Sequence, residues 1–386
     1  MLILTALGAI YWLLQLALTL RVVKSVPSIE DMPLPQGSIF QKVSCIMTAC
    51  NEADSIEQAM KTRLQEDYPN IEFILVEDRS TDRTPELADQ IASQDRRVKV
   101  VHIKELPPGW LGKLNAMNTG VKHATGDWLL FSDVDVFVKR GAVARTISYC
   151  EARGLDHLPV IPEAFSATFL VDVVLSAFVR MLCLAARVWD IEDPDSDAAI
   201  GSGSFNLVRR SAYDKAKGFE WLKMEPGDDV ALGQMLKQSG ARCSVANGRN
   251  WVGVYFYKSL RAMAEGVERA GFTGIGNFSF ARILALSLGL GLLEASPFLA
   301  LAPIGVRALP FISVTLILIA FAVSSIVNIW AGRKIIPGFF FPVAIAIMAF
   351  LLIRAGYFGA KRGGIYWRGT FYSNRELKAG KRIKIP

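Results

Sequence analysis

Short apolar segments alternate with amphipathic ones between residues 43 and 133, and this alternation constrains the fold more than any other feature of the chain. Four apolar segments have the length and composition of buried strands, at 43–47, 72–76, 98–103 and 128–132. Between the first two, Ile56, Met60 and Leu64 recur at helical spacing. A second helix is predicted near Thr84, because Pro85 suits a first helical turn, and a third at 114–123. The pattern predicts an α/β fold with a mostly parallel central sheet and helices on both faces.

Polar clusters follow three of the four predicted strands. The clusters are Thr48-Ala49-Cys50-Asn51-Glu52, Glu77-Asp78-Arg79-Ser80-Thr81-Asp82 and Asp133-Val134-Asp135. An Asp-x-Asp by itself is also typical of a strand end that caps a turn. Ligands of parallel sheets, however, bind beyond the carboxyl ends of the strands, where the three clusters are expected to converge. Glycine-rich nucleotide-binding loops are missing from the sequence, so we expect side chains and a metal to hold phosphate.

The order of these motifs resembles that of family 2 glycosyltransferases with the GT-A fold. The matching segments are the turn at 48–52, the stretch at 76–84, Gly112-Lys113, Asp133-Val134-Asp135 and the segment at 227–232. The resemblance covers roughly residues 43–253. Within the family the chain is similar to bacterial membrane enzymes that glycosylate lipids, such as hopanoid-associated, carotenoid and ceramide glycosyltransferases. The resemblance implies transfer of a sugar from a nucleotide-sugar donor.

The resemblance also assigns residues to a nucleotide pocket. It implies that Thr48 and Cys50 form the wall of the nucleobase pocket, with Glu52 close by. Asp78 would accept a hydrogen bond from uracil N3–H, so the implied donor is a UDP-sugar. Arg79 replaces the glycine that is usual in the family, which we interpret as a sign that the backbone φ there is negative.

A divalent cation is expected beside the diphosphate, because Mg²⁺ or Mn²⁺ would neutralise the charge that develops on the leaving group. Asp135 is the expected direct ligand, and Asp133 is expected beside it, nearer the ribose or the donor sugar. Lys113 has two interpretations, as a ligand of the diphosphate or donor sugar and as a solvated lysine in a rigid turn. Zinc is not expected, since the chain has no Cys-x-x-Cys and its three histidines are scattered.

The acceptor side is expected around two later motifs. The glycine-rich segment at 201–210 matches the family segment that forms the floor of the acceptor and donor-sugar site. Asp228 and Asp229 begin a helical pattern, where an acid pair is common as plain capping. The family's acidic motif supplies the general base, which the resemblance places at Asp229, with Asp228 as helix cap and orienting acid.

One base, one metal and no second candidate nucleophile predict a single displacement that inverts the anomeric carbon. We expect transfer of one hexose to a hydroxyl or carboxyl of a membrane lipid. Processive members of the family carry a Gln/Arg-x-x-Arg-Trp motif, and here Arg269-Ala270-Gly271-Phe272 lacks the tryptophan. Two alternatives stay open: a polyprenyl-phosphate or polysaccharide glycosyltransferase, and a non-catalytic membrane scaffold with a degenerate transferase domain.

The composition places part of the chain in lipid, because 52% of residues are hydrophobic and the mean hydropathy is +0.31. An apolar run at 2–20 is long enough to span, and Arg21 and Lys24 follow it, so the catalytic segment is expected in the cytoplasm, at the cell (inner) membrane. Later apolar stretches lie at 283–303, 310–330 and 336–353. We expect the last two to cross and the first, which contains Glu294, Pro297 and Pro303, to be interfacial or re-entrant.

The remaining segments are interpreted from charge and apolar pattern. The net charge of +7 is largely juxtamembrane, including Lys384 near the end, and fits anionic headgroups better than nucleic acid. Aromatic residues at 366–372 suit an interface belt, and 169–189 is interpreted as a helix near the membrane and not a span. The expected organisation is an N-terminal anchor at 1–22, a GT-A domain at 40–255, an amphipathic interface helix at 256–280, membrane segments at 281–356 and a basic cytoplasmic tail at 357–386.

Overall fold

The computed structural model describes residues 2–34, 40–299, 301 and 309–383, so Pro303 and Lys384 lie outside the described residues. Its strands are β1 (Val43–Ala49), β2 (Ile71–Asp78), β3 (Val98–Ile103), β4 (Trp128–Asp133), β5 (Phe137–Val138), β6 (His157–Ile161), β7 (Glu163–Phe165), β8 (Asn206–Arg209), β9 (Ala246–Asn247), β10 (Val252–Tyr255), β11 (Gly364–Trp367) and β12 (Thr370–Ser373).

The α-helices are α1 (Leu2–Ser25), α2 (Ile56–Leu64), α3 (Thr84–Gln94), α4 (Gly112–His123), α5 (Ala142–Arg153), α6 (Phe169–Ala185), α7 (Arg210–Lys215), α8 (Gly218–Leu222), α9 (Asp228–Gln238), α10 (Leu260–Ala270), α11 (Phe280–Leu299), α12 (Leu309–Trp330), α13 (Ile335–Gly338), α14 (Phe341–Arg362) and α15 (Asn374–Gly380). The four predicted strands and the three predicted helices of the first half are confirmed as β1 to β4 and α2 to α4.

The central sheet has the strand order β3-β2-β1-β4-β8-β6-β9. Within it β8 runs antiparallel to both of its neighbours and the other pairs are parallel, so the predicted mostly parallel sheet is confirmed. Side chains of β1 alternate between two cores: Cys45 and Met47 pack on one face, and Ile46 packs on the other. Every residue of β1 is buried, because helices cover both faces of the parallel strands.

Five helices among the described residues are long and apolar enough to cross a membrane: α1, α11, α12, α14 and a helical segment at Phe169–Asp190 that contains α6. In the segment expected to be interfacial or re-entrant, α11 is one unbroken helix with Pro297 inside it. It packs antiparallel to α1, since the Tyr11 hydroxyl donates to Glu294 and a Cβ on Gly8 would overlap Ser296. The number of crossings stays a prediction.

A buried ion pair joins these helices. The Arg180 guanidinium of α6 lies 2.7 Å from Glu294 of α11, and each side chain is 1% exposed. Arg180 also lies over the Trp12 ring of α1, at 5.2 Å from its centroid. Buried charged groups among apolar helices need such partners, because the apolar side chains around them cannot solvate them.

The expected basic tail is folded against the catalytic domain. After α14, the hairpin β11–β12 and helix α15 contribute Ile365, Tyr372 and Leu377 to the core cluster that covers one face of the central sheet. Tyr372 is 5% exposed, whereas Tyr366 and Phe371 on the same hairpin are 63% and 43% exposed. The expectation of an aromatic belt is therefore wrong for Tyr372, because alternate residues of a hairpin face opposite sides.

Candidate active site

The three polar clusters meet at one edge of the sheet, as the strand order requires. Thr48 of β1 lies in register with Val76 of β2 on one side and with Asp133 of β4 on the other. Thr48 is buried, and its hydroxyl has no hydrogen-bond partner within the described protein. An unpaired buried hydroxyl costs free energy, so this oxygen is available to a ligand.

Asp78 ends β2 as a fully buried carboxylate held by two arginines. Arg79 Nε lies 2.8 Å from Oδ1, and Arg368 Nη1 lies 3.1 Å from Oδ2. The expectation of a negative φ at Arg79 is wrong, because its φ is +56°. The chain turns sharply after β2, where the amide of Ser80 donates back to Glu77 at 2.6 Å, and the ion pair with Asp78 stabilises the left-handed residue.

Asp133 ends β4 and Asp135 follows it, beside Glu52 from the turn after β1. Burial, together with the charges of Asp133 and Glu52, raises the pKa of Asp135 to about 7. The pKa of Glu52 is also raised, chiefly by burial and also by Asp133, against a hydrogen bond from Ser55. Carboxylates that repel one another in this way fit a cation, which relieves the repulsion.

Among the residues that the structure describes, no group of three or more His, Cys, Asp or Glu side chains has the geometry of a metal cage. A cage is not needed for Mg²⁺, which is usually held by one or two carboxylates, substrate phosphates and water. The donor set of Asp133 and Asp135 therefore fits a cation that arrives with a phosphorylated ligand.

Lys113, in the first turn of α4, connects the two halves of the site. Its Nζ lies 2.9 Å from Asp133 Oδ1 and 3.1 Å from Asp228 Oδ2, and the side chain is 11% exposed. Burial disfavours the ammonium, but the charges of Asp133 and Asp228 outweigh it, so the pKa of Lys113 is raised. The interpretation as a solvated lysine is wrong.

Asp228 and Asp229 begin α9, but neither caps it. Gly227 is the N-cap residue, and no side chain makes a capping hydrogen bond. The interpretation of Asp228 mainly as a cap is therefore wrong, because its carboxylate pairs with Lys113. Asp229 accepts from the amides of Gly203 at 3.1 Å and Val230 at 2.8 Å. Burial and the charge of Asp228 raise the pKa of Asp229 to about 6, against Lys113.

The glycine-rich loop at 201–204 lies against Asp133 and Asp229. A Cβ on Gly201 would overlap the backbone carbonyl of Asp229, and one on Gly203 would lie 2.8 Å from Asp133 Oδ2. The Gly203 carbonyl also accepts from the Asp133 amide at 2.7 Å. Only glycine fits at position 201, where the overlap is with backbone, so the loop lies closely against Asp229 as well as Asp133.

Three contributions from the C-terminal segment were not predicted from the sequence. Arg368 contacts Asp78, the Gly112 amide donates to the Tyr372 hydroxyl at 3.3 Å, and the Ile383 amide donates to Glu225 at 3.1 Å. A signal was present: Arg368-Gly369 stands between two short β-prone segments, which is the pattern of a two-residue hairpin.

The chain was compared with a protein-family model, with curated proteins and with solved structures. Residues 44–216 match the model of glycosyl transferase family 2. By this match, residues 44–216 form a family 2 glycosyltransferase domain. The chain is similar to the 4,4'-diaponeurosporenoate glycosyltransferase of Staphylococcus haemolyticus, with 22% identity over 60% of this chain and 61% of that protein. It is also similar to the beta-monoglucosyldiacylglycerol synthase of Synechocystis sp., with 32% identity over 36% of this chain and 30% of that one.

The alignments span less than two thirds of the length of these curated relatives. Among solved structures, the mannosyltransferase PcManGT from Pyrobaculum calidifontis, in complex with GDP-Man and Mn²⁺, superposes with a TM-score of 0.55. That match covers 93% of this chain and 99% of the other at 18% identity. At this identity the likeness shows the GT-A fold, and it confirms the fold class expected from the sequence.

Proposed function

We propose that this protein transfers a single hexose from a UDP-sugar to a hydroxyl or carboxyl of a membrane lipid, with inversion and with a divalent cation. The observation that carries the proposal is the contact of Lys113 with Asp133 and Asp228. This one cation joins the acid motif expected at the donor to the acid motif expected at the acceptor. Transfer between two substrates requires both to be held close together, and Lys113 brings the two acid motifs into one site.

The donor half is supported by the buried acceptor groups at the strand ends. Asp78 offers a carboxylate that can accept a hydrogen bond from a nucleobase N–H, and Thr48 on the neighbouring strand offers an unpaired hydroxyl. Cys50 follows on the same turn, half-buried. The similar mannosyltransferase was solved in complex with GDP-Man and Mn²⁺, which supports a nucleoside diphosphate sugar and a divalent metal here.

Asp135 and Asp133 are the residues that would hold Mg²⁺ or Mn²⁺. When bound, the cation would neutralise negative charge on the diphosphate leaving group. Lys113 adds a second positive charge at the same place, and its two carboxylate contacts hold it there in the absence of donor. The residues of this chain thus supply both ligands and a fixed cation for a diphosphate.

The acceptor half rests on Asp229. In the proposed step, the acceptor oxygen bonds to the anomeric carbon, the bond from that carbon to the diphosphate breaks, and the acceptor proton passes to Asp229. The amides of Gly203 and Val230 orient this carboxylate. Its raised pKa, about 6, makes it a stronger base than a free aspartate while leaving it mostly ionised at neutral pH.

A lipid acceptor is supported by the five apolar helices and by the amphipathic helix α10 beside the domain. Two of the similar proteins are named as enzymes of a carotenoid acid and of a diacylglycerol lipid. Positive charge after α1 favours a catalytic domain on the cytoplasmic side of the inner membrane.

The test is a transfer assay with the full chain in detergent. The protein is incubated with Mn²⁺, membrane lipid extract and UDP-hexoses or UDP-N-acetylhexosamines, and the lipids are analysed by mass spectrometry. We expect one added sugar per lipid and a β-linkage by NMR, with the Asp229→Asn protein as the blank. An α-linkage would refute inversion, and transfer from GDP-sugars alone would refute the UDP-sugar donor.

A further inference from the structure

Arg368 lies inside the group of residues that the proposed function assigns to the nucleotide. Its Nη1 is 3.1 Å from Asp78 Oδ2, and its side chain is 16% exposed. Its charge also acts on Cys50 and Glu52, on the other wall of the pocket. Arg368 comes from the hairpin β11–β12, 290 residues after Asp78 in the chain. A nucleotide seated on Asp78 therefore meets this guanidinium.

The backbone at Arg368 is held in an uncommon conformation. Trp367 pairs with Thr370, so Arg368 and Gly369 form the two-residue turn of the hairpin, with φ of +47° and +74°. Such turns favour asparagine or glycine at both positions, and a left-handed arginine costs free energy. Arg79, the other arginine on Asp78, is also left-handed, with φ of +56°. Two strained arginines on one buried carboxylate point to a function for their side chains.

The hairpin and the chain after it are fixed to the elements that carry the rest of the site. The Gly112 amide at the start of α4 donates to the Tyr372 hydroxyl at 3.3 Å, next to Lys113. Glu225, 2% exposed, accepts from the amides of Arg382 at 2.5 Å and Ile383 at 3.1 Å. Its other oxygen accepts from Gly227 at 3.2 Å, directly before Asp228.

We infer that the C-terminal hairpin is part of the donor site and that Arg368 binds the diphosphate of the nucleotide sugar. This inference rests on the proposed function. When a nucleobase N–H donates to the Asp78 carboxylate, the oxygen that Arg368 contacts is engaged by the ligand. The diphosphate of the same ligand is then the anion with which Arg368 pairs. A guanidinium suits this role because its parallel N–H groups match phosphate oxygens in pairs.

The position of the hairpin has a consequence for the whole chain. It follows α14 directly, so the donor site receives Arg368 only when the last apolar helix is folded beside the domain. The donor site is therefore built from segments that lie 290 residues apart in the chain, and the segment at 44–216 lacks one of its cations when taken alone.

The experiment uses the full chain in detergent micelles with Mn²⁺, and measures the affinity of UDP by calorimetry and that of uridine by competition. For Arg368→Ala we expect UDP to bind about 10- to 100-fold more weakly, and uridine to bind nearly as to the wild type. Arg368→Lys should recover part of the UDP affinity, because it restores the charge without the paired geometry. Arg375→Ala is the matched control, since Arg375 is exposed on α15 of the same segment.

Three results would overturn the inference: unchanged UDP affinity in Arg368→Ala, tighter UDP binding, and an equal loss for UDP and uridine. Tighter binding would mean that Arg368 only occupies the nucleotide pocket. Thermal unfolding of each variant separates lost contacts from lost folding, and the lysine variant serves if the alanine variant unfolds. If the wild type does not bind UDP, both proposals are wrong. If the wild type binds UDP and Arg368→Ala binds it with the same affinity, only the inference about Arg368 is wrong.

Discussion

Two buried cations in this molecule have opposite surroundings. Lys113 shares two carboxylates, Asp133 and Asp228, at the edge of a site that a ligand enters. Arg180 pairs with Glu294 among apolar helices, and both side chains are 1% exposed. The first ion pair has partners that a diphosphate or a metal can exchange, whereas the second has no access to such a ligand. Burial of charge thus serves chemistry in one region and helix assembly in the other, and substitutions should separate the two.

The largest effect is expected at Asp135, the proposed metal ligand. Asp135→Asn keeps the shape of the side chain and removes its charge, so turnover with Mg²⁺ or Mn²⁺ should fall to background while the protein stays folded. EDTA should do the same to the wild type, and added Mn²⁺ should restore it. Activity that survives EDTA would exclude the metal-dependent mechanism.

The next effect concerns the base. Asp229→Asn should reduce turnover by about 10²–10⁴-fold, because the acceptor proton loses its carboxylate. UDP affinity, measured by calorimetry, should stay within a factor of a few of the wild type, since the donor contacts are intact. A nearly active Asp229→Asn beside an inactive Asp228→Asn would move the base to the preceding residue.

The ion pair of Arg180 and Glu294 between the apolar helices should affect stability and leave UDP binding unchanged. Arg180→Met leaves Glu294 buried without its cation, which should cost about 3–5 kcal/mol of stability. The melting temperature in detergent measures this loss, while the protein that remains folded should bind UDP normally. Replacing both partners, as Arg180→Met with Glu294→Leu, should restore most of the stability. A loss of UDP affinity in the folded single variant would show that this pair also serves the site.

A smaller effect is expected at the nucleotide carboxylate. Asp78→Ala removes a buried acceptor, which should weaken UDP binding by about 1–3 kcal/mol. Asp54→Ala is the control, because the Asp54 side chain is 90% exposed. Equal UDP affinity in the two variants would remove Asp78 from the nucleotide site.

The smallest effect is a shift in the pH profile. Asp229 must be ionised to act as base, so the rate should fall as the pH drops through its raised pKa, about 6. Asp228 contributes to that rise, and Asp228→Asn should therefore lower the pKa of Asp229 and move the acid limb to lower pH. Rates measured from pH 5 to pH 8 check the direction, and a limb that stays in place would mean that Asp229 does not control it.

The sequence by itself determined the parts of the molecule whose signal is local. Apolar alternation predicted β1 to β4, helical spacing predicted α2 to α4, and the polar residues at strand ends met at one edge as parallel topology requires. Asp133 and Asp135 belong to this class, because their place follows from the strand directly before them.

The tertiary structure alone decided the contacts between distant segments. Asp228 resembles a helix cap in the sequence, and only the tertiary structure, in which α8 packs against both α4 and α9, pairs it with Lys113. The left-handed backbone of Arg79 and the hairpin at Arg368 depend on one carboxylate that they share across the fold. Periodicity describes which face of an element is buried, but not which other segment covers that face. The contacts that Arg368 and Tyr372 of the hairpin β11–β12 make with distant segments could therefore be found only in the tertiary structure.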